Sequence, residues 1–213
     1  MITDKRDLVK SSEIGNFPTV EALCATLPRS VRMHMKRVGE YAGILYRHIM
    51  DEAGTPAGLM EEKGFGRYSR EIFALHDIGR HYIPFELLNK VGTLSGEEKQ
   101  IIEDHTVNAR RAIKSIYIQP FPEEIMRQWE EIAVYHHERF DGTGYPEGRK
   151  GEEIPMGARI CAIADSYDGI VSWKPYKKKQ TTREEAAEII KSEAGRQFQP
   201  ELVEIFRKCL NQF

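Results

Sequence analysis

Apolar side chains recur along most of this chain at the three- and four-residue spacing of amphipathic helices. The longest series predicts one long helix, with His34 on the neighbouring stripe, and consists of Val31, Met35, Val38, Ala42, Leu45 and Ile49. No convincing run alternates apolar and polar residues as a half-buried strand does. We therefore predict an all-α fold, a helical bundle that holds its site between helices.

Cap and proline signals place further helices. Capping-box patterns begin two of them, Ser95 with Glu98 and Thr182 with Glu185, and the first should continue through His105 to Ala109. The remaining helices are expected to lead from Ile72 into His76, to begin at Pro122, to span 155–172 and to begin at Pro200. Glycine, proline and acidic residues predict loops over 51–66 and 141–155.

Length and composition describe one ordinary globular domain. The chain has 213 residues, of which 40% are hydrophobic and 30% charged. We expect a single domain over 1–213, with 1–29 as a short N-terminal extension. The formal net charge of −2 argues against broad nucleic-acid binding, so no DNA partner is expected.

The cysteine content and the hydropathy of the chain indicate the cellular compartment in which the protein is expected. Cys24, Cys161 and Cys209 are odd in number and widely spaced, which does not suit a disulfide framework and favours a reducing cytoplasm. The N-terminus has no apolar stretch of signal-peptide type, and no membrane span is expected.

Histidine and aspartate are concentrated where they could bind metal. Five of the seven histidines belong to this set, and only His48 and His81 lie outside it. The candidate ligands are His34, His76, Asp77, His105, His136, His137 and Asp165. Imidazole and carboxylate together suit Zn, Fe, Mn or Co better than Ca or Mg.

Each candidate has a simpler interpretation when it is taken alone. A lone His34 or His105 is more often a packed or surface residue, and His76 at a helix end could be a C-terminal cation beside an acid. The argument for metal is convergence, because four separate helices offer ligands. The set is too large for one tetrahedral zinc and fits two ions that share Asp77.

The order of motifs resembles a known family. HDIGR at 76–80, followed by Ile83-Pro84 and LNK at 88–90, is similar to the HD superfamily of metal-dependent phosphohydrolases. HHERFDGTGYP at 136–146 is more specific and resembles the HD-GYP subfamily, bacterial phosphodiesterases that open cyclic di-GMP. The match extends from His34-x-x-Arg37 through ADSYD at 164–168 to KPYK at 174–177.

The resemblance implies a division of the ligands between two divalent transition-metal ions. One ion would be held by His34, His76, Asp77 and Asp165, and the other by Asp77, His105, His136 and His137. Ser30 replaces the glutamate that serves a third ion in some members, so two ions are expected. The family's usual metals are Fe and Mn, although Zn, Ni or Co could occupy the site in a purified sample.

The resemblance also implies an activity and substrate contacts. It predicts hydrolysis of cyclic di-GMP, or a related cyclic dinucleotide, by a metal-bridging hydroxide to the linear dinucleotide, with further cleavage to GMP left open. Asp77 and Arg80 would be catalytic, and the substrate would be contacted by Arg80, Asp168, Lys174 and Lys177. A helix-end hydrogen-bonding role for Asp168 is nearly as plausible as a guanine contact. The family usually has lysine at the position of Arg80 and arginine at the position of Lys174. The two residues are not equivalent, because a guanidinium group binds phosphate differently from an ammonium group.

Other functions remain open at this point. A general HD phosphohydrolase of mononucleotides would share the ligands, but the intact GYP motif counts against it. A catalytically weak module could bind cyclic dinucleotides, or a protein partner through the GYP loop. A di-iron oxygenase could use a related helical scaffold. The sequence does not indicate the oligomeric state.

Overall fold

A computed structural model describes residues 16–53, 64–172 and 180–213. Within these ranges the regular structure is helical and no strand forms, so the all-α prediction is confirmed. The helices are α1 Val20–Ala25, α2 Arg29–Ala53, α3 Phe65–Ala74, α4 Phe85–Leu88, α5 Gly96–Glu103, α6 His105–Lys114, α7 Glu123–Tyr135, α8 Met156–Val171, α9 Arg183–Ser192 and α10 Pro200–Cys209. Short 3₁₀ segments cover Leu75–Tyr82, Gly151–Glu153 and Leu210–Gln212.

The long helix α2 forms one wall of the bundle. Its six predicted apolar positions, from Val31 to Ile49, are all buried, at 8% exposure or less. This stripe packs against α3 on one side and α8 on the other. Burial of a continuous apolar face stabilises a helix of this length more than intrinsic propensity does. His34 therefore lies next to the core, between α2 and α8.

Both predicted capping boxes form. The Ser95 hydroxyl accepts a hydrogen bond from Glu98 N at 3.2 Å, and Thr182 accepts one from Glu185 N at 3.1 Å. The predicted starts of α7, α8 and α10 are confirmed within a residue. Hydrogen bonds between side chain and backbone therefore set the starts of α5 and α9, whereas a proline marks the starts of α7, α8 and α10.

Two predicted boundaries were wrong. The single helix expected from Ser95 to Ala109 divides into α5 and α6, because Asp104 has ψ −12° rather than the roughly −42° of a regular helix. The loop predicted over 51–66 was placed too widely at both ends, since α2 continues to Ala53 and α3 begins at Phe65. Residues 54–63 lie outside the described ranges.

The 3₁₀ segment Leu75–Tyr82 runs through the middle of the bundle. It continues α3 in a tighter winding and contacts α2, α6 and α7. Ile78 is fully buried, and Trp129 of α7 donates its indole N–H to Leu75 O at 3.1 Å. His76 and Asp77 are thereby carried into the interior, where neither is exposed to solvent.

None of the helices in the described part of the chain combines the length and apolar character that a membrane span requires.

Candidate metal centre

The seven predicted ligands come together at one place in the fold. His34 comes from α2, His76 and Asp77 from the 3₁₀ segment, and His105 is the first residue of α6. His136 and His137 directly follow α7, and Asp165 lies on α8. Residues separated by more than a hundred positions in the sequence therefore share one cluster, as convergence of several helices predicts.

Asp77 lies at the centre of this cluster, and its two carboxylate oxygens face different partners. Oδ2 is 3.5 Å from His34 Nε2 and 3.5 Å from His76 Nε2. Oδ1 is 3.2 Å from His105 Nε2 and 3.8 Å from His136 Nε2. Ligands that share one ion at about 2.0–2.2 Å lie roughly 3–3.5 Å apart. Each oxygen of Asp77 is thus placed within reach of a separate set of nitrogens.

Contacts within each set complete two adjacent groups. In the first group, Asp165 Oδ1 is 3.0 Å from His34 Nε2 and 3.9 Å from His76 Nε2. In the second, His105 Nε2 is 3.4 Å from His136 Nε2, and His137 offers a nitrogen within 4.8 Å of both. The geometry separates the donors into the same two sets that the family resemblance implies.

Backbone carbonyls orient three of the imidazoles. The Nδ1 atoms of His76, His105 and His136 lie 2.9, 2.6 and 3.1 Å from carbonyl oxygens three residues earlier in the chain. A carbonyl only accepts, so each Nδ1 carries the proton and each Nε2 presents its lone pair to the cluster. This arrangement fixes the tautomer that binds a metal ion.

The donor atoms have unmet polar requirements that a cation would satisfy. Among the described residues, buried His76 Nε2 has no hydrogen-bond partner, and the two buried oxygens of Asp77 have only ion-pair contacts, the shortest of them to Arg80 Nε at 2.6 Å. Leaving a buried acceptor without a partner typically costs about 1–3 kcal/mol, and more for a charged group. This set of ligand atoms consists only of nitrogen and oxygen, and their lone pairs are available to bind a cation. Such a set fits a divalent transition-metal ion.

Electrostatics keep the imidazoles of His136 and His137 neutral and the Asp77 carboxylate charged. Burial lowers the pKa of His137 to about 3, and burial also holds the pKa of His136 well below its ordinary value. Burial alone would raise the pKa of Asp77, but Arg80 and His76 hold it well below its usual range. Lone pairs and negative charge are therefore both present at neutral pH.

His34 differs from the other imidazoles. Burial tends to lower its pKa, but hydrogen bonds to Asp165 and Asp168 outweigh burial and raise the pKa to about 9. Its Nδ1 lies 2.7 Å from Asp168 Oδ2, so a carboxylate replaces the backbone carbonyl that orients the other rings.

Arg80 is the predicted substrate contact that lies at this centre. Its Nε is 2.6 Å from Asp77 Oδ2, and 24% of its side chain is exposed. The guanidinium is therefore at the edge of the cluster with part of its surface open to a ligand. Lys174 and Lys177 lie outside the described residues.

The guanine contact predicted for Asp168 is corrected by the structure. The Asp168 side chain is 2% exposed, and both of its oxygens are occupied by His34 and Arg37. Because this carboxylate is buried against His34 and Arg37, a guanine edge cannot reach it unless those contacts open. The alternative interpretation, a hydrogen-bonding role within the protein, is the one observed.

The predicted loop over 141–155 folds back across the second donor group. Tyr145 N donates to His137 O at 3.2 Å, and the Tyr145 ring stacks on His137 with centroids 4.9 Å apart. Gly144 permits this approach, because a β-carbon there would lie 2.6 Å from Glu138 Cα. The loop thus packs directly on a candidate ligand.

Two supporting residues were not predicted. Arg37 binds Asp168, and the Tyr135 hydroxyl accepts from Arg149 at 2.7 Å and donates to Glu147 at 3.0 Å in the loop. For the supporting role of Arg37, the only sequence signal is its position one turn after His34. Tyr135 gave none, because an aromatic residue at a helix end is usually a core residue.

The side chains expected to lie outside the centre have other partners. His48 contacts Gln212 and His81 contacts Thr26, each through a ring nitrogen at 2.8 Å. Cys161 is fully buried, and burial raises the pKa of its thiol, which favours packing over metal binding.

Comparison with known proteins identifies the family. A sequence model described as an HD domain matches residues 72–202. This chain belongs to the HD domain family. A solved structure, described as an HDG"Y"P protein from Bdellovibrio bacteriovorus, shares the fold with a TM-score of 0.56 at 17% identity, covering 91% of this chain and 58% of that one. The HD-GYP assignment made from the motifs is confirmed.

Curated relatives of this HD-GYP chain carry enzyme names. A protein of Thermotoga maritima named "Cyclic di-GMP phosphodiesterase" is 41% identical over 175 residues, which is 82% of this chain and 43% of the relative. A Vibrio cholerae protein named "3'3'-cGAMP-specific phosphodiesterase 2" is 31% identical over 213 residues, which is all of this chain and 37% of the relative. The chain therefore spans less than half the length of these relatives.

Proposed function

We propose that this chain is a metal-dependent phosphodiesterase that opens cyclic di-GMP or a related cyclic dinucleotide. The observation that carries the proposal is the position of Asp77, whose two oxygens each face a separate group of buried nitrogen donors. A binding module has no need of such a paired donor set. The names of the relatives support the substrate class.

The two donor groups would hold two divalent ions. His34, His76 and Asp165 belong with Asp77 Oδ2, and His105, His136 and His137 belong with Asp77 Oδ1. Iron or manganese suits this mixture of imidazole and carboxylate. A pair of such ions supplies a nucleophilic water at neutral pH and stabilises the attacking and leaving oxygens of an in-line displacement.

Arg80 would bind and orient the phosphodiester. Its partly exposed guanidinium lies beside Asp77, and it offers several N–H donors in a planar fork that matches phosphate oxygens. Because Arg80 remains protonated, its contribution is charge and position rather than proton transfer. Lys174 and Lys177 would add positive charge on the substrate side.

The loop over 141–155 would shape the substrate side of the second donor group. Tyr145 packs on His137 and is only partly buried, so its ring forms part of the wall beside that ligand. The two flat bases of a dinucleotide can stack on aromatic surfaces of this kind, whereas a mononucleotide has only one base to stack.

The proposal is tested by chromatography of nucleotide digests. Protein purified without oxygen and loaded with Mn(II) or Fe(II) should convert cyclic di-GMP or 3′3′-cGAMP to the linear dinucleotide, and a mononucleotide such as dGTP should remain intact. His136→Ala, measured under the same conditions, should lose the activity. Turnover of dGTP with no turnover of either cyclic dinucleotide would instead indicate a mononucleotide phosphohydrolase. Binding of cyclic di-GMP without any cleavage by fully loaded protein would indicate a binding module.

A further inference from the structure

A buried carboxylate joins the two helices that carry His34 and Asp165. Asp168 lies one turn after Asp165 on α8, and its Oδ2 is 2.7 Å from His34 Nδ1 on α2. On the other side of the same imidazole, His34 Nε2 is 3.0 Å from Asp165 Oδ1. The ring is therefore held between two carboxylates, and only Nε2 faces the donor cluster.

Arg37 fixes the position of this carboxylate. Its Nε donates to Asp168 Oδ1 at 2.6 Å, and its Nη2 donates to Asp168 Oδ2 at 2.9 Å. This bidentate geometry is the strong and directional form of the arginine–carboxylate pair. Arg37 also donates to the Ser172 hydroxyl at 3.1 Å, one turn further along α8. Through His34 and Arg37, Asp168 thus joins α8 to α2, and Ser172 at the end of α8 also donates to Asp168 Oδ2 at 3.2 Å.

His34 is oriented differently from three of the other ligand histidines. His76, His105 and His136 are oriented by carbonyls of their own preceding turns, so their orientation depends only on local helix geometry. His34 has no such carbonyl contact, and its orientation depends on a residue 134 positions away in the sequence. The second group can therefore keep its geometry when Asp168 changes.

We propose that Asp168, held by Arg37, is a positioning residue for the metal ion bound by His34, His76 and Asp165, and that it does not serve the ion bound by His105, His136 and His137. The proposal rests on the two-ion site proposed above. Asp168 acts by fixing the ring orientation and tautomer of His34, and it also raises the basicity of the Nε2 lone pair. Removing such a partner of a metal-bound histidine typically lowers metal affinity by about 10–100-fold.

The test is a titration with Mn(II) in which free Mn(II) is followed by electron paramagnetic resonance. Wild-type protein should bind two ions per chain. Asp168→Asn, which keeps the shape but removes the charge, should bind one ion with unchanged affinity and the other about 10–100-fold more weakly. Arg37→Gln leaves Asp168 in place and should weaken the same ion to a smaller extent. Asp51→Asn, the same change at an exposed carboxylate near the end of α2, is the matched control, with both affinities unchanged.

A second pair of variants separates positioning from a general structural effect. In protein that carries His34→Ala, adding Asp168→Asn should cause no further change in Mn(II) affinity, because the residue through which Asp168 acts is already absent. A further loss at the remaining site would show that Asp168 supports the fold as a whole and would overturn the proposal.

The remaining outcomes are distinguishable. Wild-type protein that binds two ions, with both affinities retained in Asp168→Asn, overturns this inference and leaves the proposed function intact. Equal weakening of both ions in Asp168→Asn also overturns it. Wild-type protein that binds no Mn(II) overturns the proposed function and this inference together.

Discussion

Gly79 lies directly against the backbone of His105. A β-carbon on Gly79 would lie 2.7 Å from Ala109 N and would overlap the carbonyl oxygen of His105. The 3₁₀ segment that carries Asp77 and the helix that carries His105 therefore touch through their backbones. This contact brings Asp77 Oδ1 to 3.2 Å from His105 Nε2.

Gly79→Ala should separate these two segments. The added methyl group meets backbone atoms, which cannot move to another rotamer, so we expect destabilisation of about 1–3 kcal/mol. Chemical denaturation of metal-free protein measures this change. Gly169→Ala is the matched control, because Gly169 is an exposed position in α8 where an added β-carbon would meet no other element of the described residues within 4 Å. The control should be stabilised by about 0.5–1 kcal/mol. Equal stabilities of the two variants would contradict the close contact.

The helices could be predicted from the sequence because their signals are local. The apolar series from Val31 to Ile49 and the capping box at Ser95 each specify structure within a few residues. The division at Asp104 could not be predicted, since no local residue preference breaks the pattern there. After the division, α6 packs against the 3₁₀ segment that carries Asp77.

The candidate ligands were recognised for a different reason. Histidine and aspartate in pairs are uncommon residues in an uncommon arrangement, so the pattern indicates their chemistry without any knowledge of distances. The role of Asp168 could not be predicted in this way. Whether its carboxylate faces substrate or His34 depends on how α8 is rotated against α2, and no sequence pattern reports that rotation.

Tyr135→Phe should loosen the loop over 141–155 selectively. The change removes a hydroxyl that accepts from Arg110 at 2.9 Å and from Arg149 at 2.7 Å and donates to Glu147 at 3.0 Å. Arg149 lies 3.8 Å from the centre of the ring, and this cation–π contact is retained by phenylalanine. We expect a loss of about 1 kcal/mol, together with faster hydrogen exchange of the loop amides.

The exchange measurement has a clear control in Tyr117→Phe. Tyr117 is 66% exposed, so removal of its hydroxyl should change neither stability nor loop exchange. Exchange in Tyr135→Phe that is faster everywhere, or not faster in the loop, would argue against an anchoring role for the hydroxyl.

Variants of Arg80 test whether its charge acts on the substrate. Arg80→Ala should lower kcat by roughly 10²–10³, the usual effect of removing one preorganised contact to the transition state. Arg80→Lys should retain substantial activity, because a point charge still faces the phosphate. Steady-state kinetics with cyclic di-GMP measures both, with metal content determined for each variant. Full activity in Arg80→Ala at normal metal content would mean that the residue only balances the charge of Asp77.

The most direct measurement of the central claim is the number of metal ions per chain in Asp77→Ala. Elemental analysis should find two ions in wild-type protein loaded without oxygen, and none retained in Asp77→Ala, because each donor group loses the oxygen that it shares. His105→Ala, in which only the second group is changed, should keep one ion. Wild-type protein that saturates with a single ion, or Asp77→Ala protein that still holds two, would contradict a paired site centred on Asp77.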